Sequence, residues 1–155
     1  SAASDVYKRQ DYAEWNYYNV GRAWAQGVEL GMQVNDWRGF DVNLSYTYLD
    51  AENRDTGAQL ARRPKNNFYA SLDRLIAERF RLGADLRVGG GRYDDVANQY
   101  WLAGHVLVGL RGSVAVNDHL EVYGRVENLF DEHYEVVRTY GTAGRAAYAG
   151  IRVKM

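Results

Sequence analysis

A chain of 155 residues is enough for one ordinary domain and too short for most multidomain enzymes. Its 20 acidic and 19 basic residues nearly cancel, which leaves no excess positive charge to hold nucleic acid. With no cysteine, there is no disulfide framework, thiolate nucleophile or cysteine-held metal centre. Mean hydropathy is −0.50 and no window approaches about 18 consecutive apolar residues, so no transmembrane helix or cleavable signal peptide is visible, a result that leaves membrane-spanning strands open.

The chain opens with a stretch that calls for separate treatment. Asp5-Val6-Tyr7-Lys8-Arg9-Gln10 resembles the in-frame translation of a transposase mosaic-end adaptor used to prepare sequencing libraries. Residues 1–10 are therefore expected to be an artefact, and the fold is read from 11–155.

Thirteen tyrosines, sixteen glycines and a single proline favour β structure. From Phe40 to Tyr48 the alternation is unbroken: Phe40, Val42, Leu44, Tyr46 and Tyr48 fall on one face, Asp41, Asn43, Ser45 and Thr47 on the other. The same period predicts strands from Gly27 to Asn35, Asn67 to Asp73, Phe80 to Gly89, His105 to Val116, Leu120 to Leu129 and Ala146 to Met155. Several run about ten residues, the length that crosses a bilayer at a tilt.

Charge separates the two phases. The apolar phase (Val28, Leu30, Met32, Val34; Phe80, Leu82, Ala84, Leu86, Val88; Val106, Val108, Leu110; Val122, Val126; Ile151, Val153) carries none. The other phase holds Glu29, Asp41, Asp73, Asp85, Glu121 and Glu127 against Arg81, Arg87, Arg111, Arg125, Arg152 and Lys154, a balance suited to a hydrated or plugged lumen. Charge on a lipid face would cost about 2–4 kcal/mol near the midplane. A soluble sandwich with one buried face gives identical alternation, so connection lengths decide. Asp36 to Gly39, Leu75 to Arg79 and Asn117 to His119 are short; Glu52 to Asn66, Gly90 to Gly104 and Phe130 to Arg145 are long, and the two kinds alternate strictly. Outer-membrane barrels have this asymmetry, with short turns inside and long loops outside. Trp37, Phe40 and Phe80 at the short-turn end and Tyr46, Tyr48, Tyr93 and Trp101 at the long-loop end match two interfacial girdles. The fold class is all-β: an antiparallel meander of about seven long strands, an open fragment of a large transmembrane β-barrel. Seven antiparallel strands cannot close on themselves, because the first and last would meet in parallel, so more strands are expected.

Three stretches resemble TonB-dependent outer-membrane receptors, most closely the vitamin B12 receptor group. They are Tyr17 to Ala23 leading to Gly27-Val28-Glu29; Ser45 to Ala51 with Leu60 to Asn66; and Val126 to Glu135 with Tyr140 to Arg145. The resemblance covers Tyr17 to Met155 and implies the C-terminal part of a barrel of about 22 strands, plugged by an N-terminal domain. It also implies energy from the TonB complex through that missing plug, a scarce metal chelate (cobalamin or a ferric siderophore) as cargo, integral outer-membrane location amid lipid, and insertion by the barrel-assembly machinery. The family usually ends on an aromatic residue that this machinery reads; Met155 departs from that, while Ala149, Ile151 and Val153 keep the alternation. The competing readings are a self-contained eight-stranded outer-membrane barrel with a structural or adhesin role, Tyr12 to Val20 supplying the eighth strand, and a soluble binding barrel.

No enzyme, cofactor or metal site is expected. His105, His119 and His133 fall on different elements, Ser113 lies eight residues from His105, and Glu121 and Glu127 sit about 20 Å apart along one strand, too far for acid–base pairing. Those carboxylates are expected to pair with Arg111, Arg125 or Arg152. Asn128-Leu-Phe-Asp131 reads as a strand ending with Asx-type turns, Arg62-Arg63-Pro64-Lys65 as strand entry, and Gly89-Gly-Gly-Arg92 as a flexible strand-to-loop exit. Ligand contact is expected from the long loops, with Arg92, Tyr93, Asp94 and Tyr100 as candidates, since that loop combines a guanidinium, carboxylates and aromatic faces.

Overall fold

The computed structural model describes residues 8–11, 16–19 and 22–154, the first two stretches by backbone alone. The period-2 pattern is realised as seven long strands: β1 (Ala23–Trp37), β2 (Phe40–Asn53), β3 (Asn66–Ile76), β4 (Phe80–Gly89), β5 (His105–Ala115), β6 (Leu120–Glu127) and β7 (Ala146–Val153). They pair antiparallel in chain order into one open sheet, with β1 and β7 at its two edges. The expected meander and both expected edges are present. Asn16–Asn19 pairs with Lys8–Asp11 as a separate two-stranded sheet and does not extend the edge at β1, so the eight-stranded alternative gains no eighth strand from it; residues 12–15 and 20 of that alternative lie outside the described residues.

Two of the three short turns are built from left-handed backbone, and the third, around Asn117–His119, has no residue at positive φ. Arg38 (φ 54°) and Gly39 (φ 85°) form the two-residue connection from β1 to β2, both at positive φ as a type I′ hairpin requires. The next connection has three residues, Ala77 (φ 50°), Glu78 (φ 58°) and Arg79, and turns without any glycine.

The sheet has almost no core. Ala51, Leu60 and Leu102 are the buried hydrophobic residues among those described, and all three lie at the long-loop end. Val28 (54% exposed), Leu30 (60%), Leu82 (53%) and Ile151 (66%) stand open on one face. A sandwich would bury these residues between two layers; a single sheet leaves them for lipid to cover.

Strand length corrects one expectation. The apolar face is not free of charge once β3 is followed to its end. Phe68, Ala70 and Leu72 share that face with Arg74, because the ladder continues through Ile76 instead of stopping at Asp73. On β2 the pairing runs on to Asn53 and brings Asp50 and Glu52 to the same face, beyond the Tyr48 girdle. Hydrophobic alternation marks where a strand touches lipid. Backbone pairing continues past that limit at both ends.

Candidate functional site

The long-loop end is where the chain is most densely tied together. Asp94 donates its amide to the Tyr100 carbonyl at 2.9 Å, extending a short ribbon of Arg92–Tyr93 against Trp101–Leu102. The Asp95 carboxylate closes the tip by accepting the amides of Ala97, Gln99 and Tyr100 at 2.7–3.0 Å through its nearer oxygens. Burial alone would raise the pKa of Asp95, but the Tyr100, Gln99 and Ala97 amides outweigh it and hold the carboxyl below its ordinary range. Glu135–Val137 and Tyr140–Gly141 form a second ribbon in the loop before β7.

The loops interlock. The Asn98 side chain forms a two-way bridge to the Gln59 backbone, accepting its amide at 2.8 Å and donating to its carbonyl at 2.9 Å. Arg62 donates its amide to the Tyr93 carbonyl at 2.6 Å and pairs through Nε with Asp94 at 2.8 Å. Arg92 reaches the third loop, donating to the Glu135 carbonyl at 3.1 Å, while the Arg138 guanidinium lies 3.7 Å from the Tyr100 ring centre. Tyr134 stacks on His105 at 4.2 Å, and Tyr93 meets Trp101 edge-on at 4.9 Å.

All four residues singled out by sequence lie on one ribbon, in distinct settings. Arg92 is 5% exposed, the Asp94 side chain is 12% exposed, Tyr93 is half-buried, and Tyr100 stands 43% exposed. Sequence reasoning missed the neighbouring wall: Glu132, Tyr134, Glu135 and Thr142 from the third loop line a cavity of about 560 Å³ with Trp101 and Leu102. The aromatic and acidic content of residues 132–135 was the signal available for it. The glycine run Gly89 to Gly91 serves close packing more than freedom. A Cβ at Gly90 would sit 2.7 Å from the Asn66 carbonyl oxygen, one at Gly89 would sit 2.6 Å from the His105 ring, and one at Gly91 would run into Trp101.

Pro64 stands just before β3, where Lys65 accepts the Leu49 amide at 2.8 Å and pairs with Asp50 at 2.6 Å. That hydrogen bond to Asp50 raises the Lys65 pKa against the desolvation that lowers it. Asn128, at φ 50°, accepts the Glu132 amide at 2.8 Å and returns a hydrogen bond to the Glu132 carbonyl at 2.9 Å, the turn expected of it.

The opposite face of the sheet carries the charges as an ion-pair mesh. Glu121 pairs with Arg152 at 2.7 Å and Glu127 with Arg125 at 3.3 Å, as expected. Arg111 pairs with Asp85 at 3.0 Å and, through two hydrogen bonds, with Asp73 on the strand beyond. Gly83 stands opposite both Asp73 and Arg111, and its missing side chain is the gap that this pair crosses. Among the described residues no group of three or more His, Cys, Asp or Glu side chains could hold a metal ion.

This architecture recurs in known proteins. The TonB dependent receptor-like, beta-barrel family matches residues 2–129. The vitamin B12 transporter BtuB of Photobacterium profundum is 37% identical over 142 residues, covering 88% of this chain and 22% of that relative. Among solved structures, the siderophore receptor PiuA from Acinetobacter baumannii superposes with a TM-score of 0.74 at 23% identity, over 94% of this chain and 24% of that one. FpvA of P. aeruginosa, bound to heterologous pyoverdines, gives 0.76 at 17% identity over 95% and 23%. The chain belongs to the TonB-dependent receptor β-barrel family, a family of integral outer-membrane proteins and not of enzymes. It spans less than a quarter of the length of these relatives.

Proposed function

We propose that residues 11–155 are the C-terminal barrel wall and loops of an outer-membrane receptor that imports a scarce metal chelate, cobalamin ahead of a ferric siderophore. The observation that carries this reading is the 37% identity to a vitamin B12 transporter over 88% of the chain. Energy would come from the TonB complex through a plug domain outside these residues, and insertion from the barrel-assembly machinery. The chain's own part is recognition without chemistry.

Within this reading Tyr100 and Tyr93 offer ring faces to the ligand. Arg92 and Asp94 act chiefly by holding the loops, Arg92 through its Nη2 hydrogen bond to the Glu135 carbonyl and Asp94 through its pair with Arg62. The adjoining cavity, walled by Trp101 and Tyr134, gives room for a polar side group of a large chelate. The test uses the full-length receptor carrying Arg92→Ala with Tyr93→Ala, checked for normal insertion, and measures labelled cyanocobalamin binding to whole cells. Binding should weaken about tenfold, corresponding to ~1.4 kcal/mol, while Trp37→Ala at the opposite end leaves it unchanged. Unchanged affinity in the double variant would reject this loop as a contact. Failure of the unaltered receptor to bind cobalamin, with uptake of a ferric siderophore, would transfer the reading to that cargo.

A further inference from the structure

One charged side chain on the lipid face has no acidic partner. Arg74 shares that face with Phe68, Ala70 and Leu72, and among the described residues no carboxylate pairs with it. Its guanidinium lies 4.7 Å from the centre of the Phe40 ring, and its Nε comes within 3.9 Å of where a Cβ would stand at Gly39, the last residue of the β1–β2 turn. The side chain is therefore bent toward the short-turn rim, as a snorkelling arginine at a membrane interface is.

A groove begins beside it. Ala84 is opposed by Leu72 on one neighbouring strand and Leu110 on the other, so a small side chain lies between two large ones. The resulting apolar hollow, about 330 Å³, is walled by Phe40, Leu72, Leu82 and Leu110, with Arg74 at its rim. Leu72 and Leu82 are 42% and 53% exposed, so nothing among the described residues covers it.

We propose that this hollow is a phospholipid site in the inner leaflet of the outer membrane, with an acyl chain lying over Ala84 and the phosphodiester bound by Arg74. Charge complementarity selects the occupant. An unpaired guanidinium above an aromatic ring takes an oxyanion, and the apolar trough continuing from it takes the chain attached to that oxyanion. The proposal rests on outer-membrane placement and not on which cargo the receptor imports, so the two fail separately.

The experiment purifies the full-length receptor in mild detergent, adds phosphatidylglycerol, and counts retained lipid by native mass spectrometry. One lipid per receptor should be held by the unaltered protein. Occupancy should fall at least fivefold in Arg74→Gln and in Ala84→Phe, and recover to more than half in Arg74→Lys. Equal retention by the unaltered protein and both loss variants would overturn the site. Should Arg74→Gln fail to insert, the unaltered receptor decides by competition against a galactosyl diacylglycerol with the same acyl chains. A preference of fivefold or more for the phosphate-bearing lipid supports the site, and anything less overturns it.

Discussion

A methyl group at Gly83 would stand 2.8 Å from the Arg111 Nε and collide with the Asp73 carboxylate. No rotamer of a larger side chain avoids both, because the two partners come from opposite sides and meet above this one residue. The side chains of Asp73 and Asp85 are 16% and 13% exposed, and Arg111 is the cation held between them. Displacing Arg111 would leave two carboxylates facing one another in a partly dry setting, and the loss of a charged hydrogen-bonded pair there is worth about 1–3 kcal/mol. Gly83→Ala in the full receptor should lower unfolding stability by that amount in a denaturant titration. Gly31→Ala, on the edge strand with no atom within 4 Å of its Cβ, should change it far less. Equal effects would mean that the gap at Gly83 is not what the ion pair requires.

At the scale of elements, the seven strands were legible because each exposes one face to lipid and the other to charge, which imposes a period of two for as long as the bilayer lasts. The ladder extensions were not legible. Gln26, Asp50 and Glu52 break the hydrophobic alternation while the backbone goes on pairing, and Arg74 falls past the predicted strand end for the same reason. The loop ribbons were missed because their pairs are only two or three residues long and are fixed by tertiary hydrogen bonds, such as Arg92 to Glu135 and Asn98 to Gln59, between segments far apart in sequence. The candidate loop was found by residue type, yet the structural duties of Arg92 and Asp94 follow from neighbours that composition does not show. One consequence concerns pH. Asp95 has a lowered pKa when its loop is formed, so its contribution is fully present above the ordinary carboxylate range and is lost as pH falls through the lowered value. Binding at the cell surface should therefore persist from neutral pH to below about pH 4, then fall as the loop tip opens. Asp95→Ala should produce the open tip at neutral pH, seen as about tenfold faster hydrogen exchange at Gln99 and Tyr100 with β5 amides unchanged. Unaltered exchange at those two amides would show that the carboxylate is not the latch.

At the scale of the molecule, the described sheet is a wall and not a container. Its apolar face has no protein cover, its charged face is an ion-pair mesh, and both β1 and β7 present a row of backbone donors and acceptors without a strand beside them among the described residues. Each such group left dry in a bilayer costs several kcal/mol, so these edges must find partners. They cannot find each other in an antiparallel ladder: an odd number of up-and-down strands leaves β1 and β7 running the same way. The 155 residues expressed alone and refolded in detergent should therefore self-associate through their edges, with light scattering reporting species above the 17.6 kDa of one chain. The full receptor should be monomeric under the same conditions, because its further strands would cover β1 and β7. A monodisperse 17.6 kDa species with a β-rich spectrum would mean that the edges are blunted within the chain itself, and the argument that this sheet needs further strands would fall with it.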